Sequence, residues 1–484
     1  MDQLETIIVE TGNWIANYLL IPMLLVIALW MTIKTGGVQF RMFGEMCRLL
    51  VAPKPKTETS HGVIASAKNS LSSFQAFMVS VASHVGTGNL AGVATAITLG
   101  GPGAIFWMWV IALLAAAASF VECTLAQIFK IPDGNGGFRG GPAYYISRGI
   151  GSRLWAVTFA VLISLTFGFA YNSVQSNTIS QAFESSWGIP AIITTVALTI
   201  LTLVIIWGGI RSIARFSEWV VPIMAVAYVV ISIVIIAMNI EKVPDCIALI
   251  VRSAFGIDQF VGGSMGMALA IGIRRGLFSN EAGEGSAPNA AATANVSHPV
   301  KQGLVQALGV YTDTILICSC TAFIILLSGV TTTGAEGITL TQRAIDTEFH
   351  SAGIGATFVS VAIFFFAFTS IIANYYYGET NIRFISSNPK WVTVYRIAVG
   401  GMVFMGGLAS LGIVWSLADI TMSLMALCNI FALAVLGKYA FRALRNYCKL
   451  RREGRNPVYY RETNPEIAHL TKCWPSISGG SSSK

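Results

Sequence analysis

The sequence predicts an all-α, polytopic membrane protein with eleven transmembrane helices. Of its 484 residues 54% are hydrophobic and only 11% charged, against about 25% charged in a water-soluble domain. Eleven apolar stretches approach the ~20 residues a helix needs to cross a bilayer, and they lack the alternating ten-residue pattern of a transmembrane barrel. Two of the stretches are interrupted, one by Gly86-Thr87-Gly88-Asn89 and one by Phe278-Ser-Asn-Glu-Ala-Gly-Glu-Gly-Ser-Ala-Pro288.

The first helix centres on Leu24. It follows an acidic start (Asp2, Glu5, Glu10) and is too long for a signal peptide, with no small-residue cleavage site after it, so it is expected to be retained. The second centres on Ala91 and carries the first interruption. Helices three to six centre on Leu113, Leu162, Leu198 and Val229. The seventh, around Ala270, runs into the second interruption, and Ile315, Phe365, Val403 and Leu424 mark the rest.

Basic residues gather in the segments after helices one, three and five (Lys34, Arg41, Arg48, Lys54, Lys56 and Lys68; Lys130 and Arg139; Arg211 and Arg215) and after helix eleven (Lys438 to Arg452). The positive-inside rule places these segments in the cytoplasm, so the N-terminus is expected outside and the C-terminus inside. The net charge of +8 is then topology, and no nucleic-acid partner is implied.

Without the first helix (1–35), ten helices divide into two groups of five, 66–239 and 258–437, each opening with its interrupted helix. An odd number per group turns the second upside down relative to the first, the arrangement of inverted repeats. A basic cytoplasmic tail, 438–484, closes the chain, and its last stretch, about thirty residues ending in Ser-Ser-Ser-Lys484, reads as disordered. Ser328 to Gly355 forms a polar outer loop large enough to fold over a vestibule.

Several functions are disfavoured. The glycine-rich turn Asp133–Pro142 lacks the Gly-x4-Gly-Lys-Ser/Thr of a phosphate-binding loop, so ATP-driven transport has no support. No nucleophile–base pair or metal-ligand cluster marks an enzyme, and no cofactor is implied. The eight cysteines, Cys318 and Cys320 included, read as core packing.

Backbone that leaves the helix inside a membrane is tolerated only where protein or a water-filled cavity satisfies it, and paired interruptions in two halves point to a carrier's binding site. In the first, Gly86 and Gly88 let the chain unwind cheaply, turning the N–H groups of Thr87, Gly88 and Asn89 toward a carboxylate at the positive end of the next half-helix. Gly88 and Gly92 also fit a small-xxx-small packing face. In the second, Phe278 and Ser279 are expected to line the cavity. Asn280 is read as an N-cap with Glu281 and Glu284 in the first turn of the new half-helix, and Pro288 as a restart. Thr369 and Ser370 can either offer oxygens to a hard cation or bond back to their own helix. Glu122, Asn172, Gln175, Asn177, Asp313 and Asp419 must face the interior, with Gln175 aimed at a ligand amine. His84 is read as a neutral, hydrogen-bonded helix residue or a group titrating near neutral pH.

Five motifs in order, Gly86-Thr-Gly-Asn-Leu-Ala-Gly-Val-Ala-Thr-Ala-Ile97, Gly100-Gly-Pro-Gly-Ala-Ile-Phe-Trp-Met-Trp109, Gly140-Gly-Pro-Ala-Tyr-Tyr145, Phe278 to Pro288, and His298-Pro-Val-Lys-Gln-Gly-Leu-Val-Gln306, resemble the signatures of the alanine or glycine:cation symporter family. The resemblance runs from about Gly36 to Lys438. It implies a leucine-transporter-like fold with one extra N-terminal helix, residence in a bacterial cytoplasmic (inner) membrane, and sodium-coupled uptake of a small neutral amino acid, alanine or glycine. An amino-acid-independent cation channel is the alternative. It further implies that Thr87, Gly88 and Asn89 receive the substrate carboxylate, with Gln175, Phe278, Ser279 and Asn280 around the amine and side chain. It assigns sodium to the carbonyls of Ala82 and Val85 with the hydroxyls of Thr369 and Ser370. His84 departs from the family, whose members often carry threonine or arginine there.

Overall fold

Serine caps and glycine stops set many of the helix ends. In the computed structural model, residues 9–51, 70–257, 264–330, 334–351, 353–471 and 473–477 are described. Asp2, Glu5, Lys54, Lys56, Lys68, the boundaries at 66 and 258, part of the Ser328–Gly355 loop and Ser478 to Lys484 lie outside them.

Helix α1 spans Val9–Thr35 and stops at Gly36, which is left-handed (φ 64). A short amphipathic helix, α2 (Phe43–Leu50), follows. The first interrupted helix begins at a capping box, Ser72 with Gln75, runs as α3 (Ser73–His84), and resumes through π-helical turns at Gly88–Gly92 into α4 (Val93–Gly100). Then come α5 (Gly103–Phe129), α6 (Arg153–Trp187), α7 (Ala191–Ile206) and α8 (Gly209–Met238), and an amphipathic helix, α9 (Val243–Ala254). The second interrupted helix is α10 (Met265–Asn280) and the short α11 (Ala287–Ala291). The chain closes with α12 (Pro299–Ser328), α13 (Gly337–Glu348), α14 (Ile354–Ile385), α15 (Pro389–Leu408) and α16 (Leu411–Arg452). Eight helices are long and apolar enough to cross a membrane, and α7 with the two interrupted helices brings the described crossings to the expected eleven.

Two layers result. The interrupted helices pack with α5 and α12, while α6, α7, α14 and α15 form the second layer. The first layer is tight because glycines face backbone. A Cβ on Gly272 of α10 would lie 2.4 Å from the Ala104 carbonyl of α5, and one on Gly303 of α12 would lie 2.8 Å from the Phe120 carbonyl. Such close approach is how membrane helices associate without a hydrophobic driving force between them.

The described part of the segment between α12 and α14 packs against the first interrupted helix and α6. Helix α13 sets Thr341 Oγ1 3.1 Å from the Leu90 carbonyl and Gln342 Nε2 3.2 Å from the Ala182 carbonyl. The tail departs from expectation: α16 continues to Arg452, and residues 457–471 and 473–474 include side chains buried against the body. Trp474 is buried and donates its indole N–H to the Gln127 carbonyl at 3.0 Å. The Tyr459 N–H reaches the Ser297 carbonyl at 2.9 Å, and the Lys130 ammonium sits 4.9 Å from the Trp474 ring centroid. Two large aromatic side chains in a polar tail supply enough burial to hold it.

Gly303→Val is expected to destabilise the fold by about 1–3 kcal/mol, the cost of overpacking against backbone that cannot retreat. A lowered Tm of the purified protein in detergent, with Gly44→Ala as the surface comparison, measures it.

Candidate functional site

The first interruption is a crossing point built by contact rather than by left-handed backbone. Helix α3 ends at Val85, which is extended (φ −81, ψ 92). The Gly86 N–H then donates to Asn89 Oδ1 at 2.8 Å and the Asn89 N–H to the Gly86 carbonyl at 3.3 Å. Neither Gly86 nor Gly88 takes a positive φ, so conformational freedom is not what glycine supplies here. A Cβ on Gly86 would lie 2.4 Å from Ser370 Oγ and 2.8 Å from Gln175 Oε1, and one on Gly88 3.1 Å from Ser279 Cα.

The second interruption does use left-handed backbone: Glu281 (φ 54), Gly283 (φ 91) and Gly285 (φ 88). Here the sequence reading is corrected. Asn280 is the last residue of α10, and its Oδ1 accepts the Ala282 N–H at 3.1 Å. Glu281 and Glu284 lie in the turn before α11 and not in its first turn, while Pro288 does stand at the restart. Glu281 accepts from Ser83 at 2.6 Å and Ser286 at 2.5 Å, Glu284 accepts from the Tyr171 hydroxyl, and Glu122 of α5 takes the Gly283 N–H at 3.2 Å. His84 is buried with its Nε2 3.6 Å from Glu281 Oε2 and 3.5 Å from Ser80 Oγ.

One carboxylate holds the two interruptions together. Asp313 lies in π-helical turns of α12, Tyr311–Cys318, a distortion often found at functional sites. Its Oδ1 accepts from Asn89 Nδ2 at 2.6 Å, and its Oδ2 accepts from Ser279 Oγ and Thr314 Oγ1, each at 2.8 Å. Asn280 Nδ2 donates to Thr314 Oγ1 at 3.1 Å. Cys318 joins the cluster, its Sγ 3.3 Å from Asn89 Nδ2 and 3.2 Å from Ser279 Oγ, so it is a site residue and not simple core filling. Sequence had marked Asp313 as an interior carboxylate without a partner; the π-turns that aim it carry no sequence signal.

The predicted substrate residues divide. Thr87, Gly88, Gln175, Phe278 and Ser279 converge: the Thr87 N–H donates to Gln175 Oε1 at 3.0 Å, and Thr87 Oγ1 is buried without a partner. The Phe278 ring lies between Tyr171 (4.5 Å) and Trp415 (4.7 Å). Asn89 and Asn280 instead turn their amides to Asp313 and Thr314, and Ser279, whose backbone meets Gly88, turns its hydroxyl to Asp313 as well. The predicted cation ligands divide as well. Ser370 Oγ is 2.9 Å from the Ala82 carbonyl and 3.3 Å from the Val85 carbonyl, three neutral oxygens of the kind a hard cation takes. Both hydroxyls bond back to the Phe366 carbonyl of their own helix, Thr369 Oγ1 at 2.8 Å and Ser370 Oγ at 3.0 Å, and of the two Ser370 alone also reaches the α3 carbonyls. Among the described residues no group of three or more His, Cys, Asp or Glu side chains is placed to hold a metal ion.

Two buried charges went unread in the sequence. Arg275 Nη2 pairs with both oxygens of Asp419 in α16, its guanidinium 4.5 Å from the Trp415 centroid. Arg274 reaches Asn13 and Asn17 of α1 at 2.7 and 2.8 Å. The Arg-Arg pair inside an apolar stretch was the visible signal, since a buried Asp419 needs such a partner.

The chain matches the sodium:alanine symporter family over residues 1–461. It is 49% identical to the amino-acid carrier protein AlsT of Bacillus subtilis, covering 91% of this chain and 92% of that protein. It is 47% identical to the probable sodium/glutamine symporter GlnT of the same organism (98% and 96% covered) and 36% identical to the sodium/alanine symporter AgcS of Methanococcus maripaludis (92% and 98%). Among solved structures it resembles MhsT in complex with L-phenylalanine, with a TM-score of 0.53 at 14% identity over 84% of this chain and 93% of that one. A manganese transporter of Eremococcus coleocola gives 0.50 at 14% identity, covering 82% and 84%. At these identities the likeness speaks for the fold, the leucine-transporter type.

Asp313→Asn keeps the volume but trades an acceptor for a donor, leaving the Asn89 or Ser279 donor unpaired. The expected cost is about 1–3 kcal/mol, read as a lower Tm; Thr314→Val leaves Asp313 its other two donors but strands the Asn280 Nδ2 donor, so it is expected to lower the Tm as well.

Proposed function

Because the chain belongs to the sodium:alanine symporter family, we propose that it carries a small neutral amino acid, alanine or glycine, inward with sodium by alternating access. The supporting observation is that one missing side chain separates two sites. The space a Cβ on Gly86 would need is taken by Ser370 Oγ on one side and Gln175 Oε1 on the other, so a cation at Ala82, Val85 and Ser370 lies directly against an amino acid at Thr87, Gly88 and Gln175. Each ligand then stabilises the backbone geometry the other requires, and the coupling is reciprocal.

Sodium takes over the two carbonyls that the Ser370 hydroxyl now engages, and Ser370 turns from donor to ligand; Thr369, facing its own helix, contributes after a rotation about its χ1. The substrate carboxylate lies against the N–H groups of Thr87 and Gly88 at the start of the outer half-helix, where the dipole favours negative charge. Its amine meets Gln175 Oε1 in place of the Thr87 N–H, and Phe278, braced by Tyr171 and Trp415, limits the side chain. Asn89, Ser279 and Asn280 serve by holding the two interruptions on Asp313 and Thr314. A potential of 100 mV and a tenfold sodium gradient supply about 2.3 and 1.4 kcal/mol per ion, enough for a several-hundredfold amino-acid gradient. The layer containing the interrupted helices rocks against α6, α7, α14 and α15. The two groups of five act as the inverted repeats, and the positive-inside rule puts the N-terminus outside and the C-terminus inside a bacterial cytoplasmic membrane. Glutamine is a second reading, favoured by the 47% identity to a protein named as a sodium/glutamine symporter.

Purified protein in liposomes is expected to accumulate labelled alanine or glycine under an inward sodium gradient and not under potassium. Uptake indifferent to every imposed cation gradient, or cation flux without amino acid, overturns symport; glutamine taken up in preference to alanine replaces the substrate. Ser370→Ala is expected to raise the sodium concentration for half-maximal uptake about tenfold, a loss of roughly 1.4 kcal/mol, with the alanine dependence at saturating sodium little changed. Gly86→Ala is expected to abolish uptake in a protein that still elutes as a folded species, since its methyl group occupies the gap between the two sites.

A further inference from the structure

At the N-terminal end of α8 an open groove of about 550 Å³ is lined by Arg211, Ser212, Arg215, Phe216 and Trp219, among others. We propose that it is a binding site for an anionic phospholipid, with the lipid phosphate held by Arg211 and Arg215.

The stripe is ordered as a phospholipid is. Arg211, Arg215 and Trp219 are four residues apart and so share one face of the helix, all three exposed. At 1.5 Å of rise per residue, Trp219 sits about 12 Å deeper along the axis than Arg211, which places two cations at headgroup level and an indole at the interface that tryptophan prefers. Beyond it the same side of α8 presents Ile223, Val226, Val230 and Ile233, each more than half exposed, a purely aliphatic track for an acyl chain. A soluble phosphate would use the arginines alone and gain nothing from that track.

The charge is free to act. Among the described residues neither guanidinium is in an ion pair, while the one carboxylate on this end of the helix, Glu218, is turned to the protein, accepting from Gln75 Nε2 at 3.0 Å. The opposite face, with Ile213, Ala214, Ser217 and Val221, is buried, and Phe216 is anchored edge-on to Phe368 of α14 at 5.9 Å. The groove wall is therefore fixed, and its basic lining faces outward. Basic pockets on the cytoplasmic side of membrane helices recognise anionic headgroups in this way. Two arginines against one phosphate favour a lipid that carries no compensating amine, so phosphatidylglycerol is expected to bind in preference to phosphatidylcholine.

The test uses full-length protein in nanodiscs of phosphatidylcholine doped with bromine-labelled phosphatidylglycerol or bromine-labelled phosphatidylcholine. Quenching assigned to Trp219, from the difference between wild type and W219F, is expected at lower mole fractions of the brominated phosphatidylglycerol. R211Q and R215Q each weaken the preference about fivefold, and the double variant about thirtyfold, at unchanged Tm, whereas R215K retains most of it. Equal quenching by the two lipids in the wild type, a preference that survives the double substitution, or displacement of the lipid by millimolar glycerol phosphate overturns the proposal, the last by making the site one for soluble phosphate. The lipid comparison needs only W219F, a substitution at an exposed position, so it decides even if an arginine substitution impairs folding.

Discussion

A main chain that leaves the helix inside a bilayer must find a partner for every polar group it frees, because hydrocarbon offers none. That requirement organises the centre of this protein. Asp313 carries both interruptions at once, taking Asn89 from the first and Ser279 from the second. Glu122 reaches the Gly283 N–H from α5, and Gln175 reaches the Thr87 N–H from α6. The unwound segments are held by side chains from three surrounding helices, so they present a defined surface to a ligand instead of a flexible loop.

The two interruptions meet the same need by different chemistry. The first keeps ordinary backbone angles and uses glycine to bring neighbouring helices within reach; its functional groups are neutral oxygens and N–H groups. The second takes three left-handed residues, one of them Glu281, and surrounds itself with carboxyls. A neutral, close-fitting first segment suits an amino acid beside a small cation. An acidic, hydroxyl-rich second segment, tied to α3 through Ser83 and Glu281, makes the geometry of one segment depend on the other.

The layers around them divide the work along the same line. Glycine contacts on Gly272 and Gly303 lock the interrupted helices to α5 and α12, which suits a unit that moves as a body. The tail ties α5 to the segment before α12 and to α16. Helix α13 covers the start of the half-helix that follows the first interruption, through Thr341. Arg275 and Asp419 join α10 to α16 just beyond Phe278. The site is thus enclosed by groups from segments distant in the chain.

Composition and periodicity by themselves determined that the chain lives in a membrane, that it crosses eleven times, and that two crossings are broken at Gly86 and after Phe278. These follow from properties local to a segment: apolar length, helix-breaking residues, a carboxylate that hydrocarbon will not accept. The motifs carried the family. Only the tertiary structure decided which polar groups meet. The Asn89 and Asn280 amides lie on Asp313 and Thr314, Ser370 reaches the Ala82 and Val85 carbonyls while Thr369 stays on its own helix, and Cys318 lies beside Asn89 and Ser279. The burial of Tyr459 and Trp474 in the tail also depended on a surface that they find only in the folded protein. The physical reason is that a tertiary hydrogen bond is set by distance and direction between residues that can stand some 35 to 350 positions apart, and neither is written in the residues on its own side.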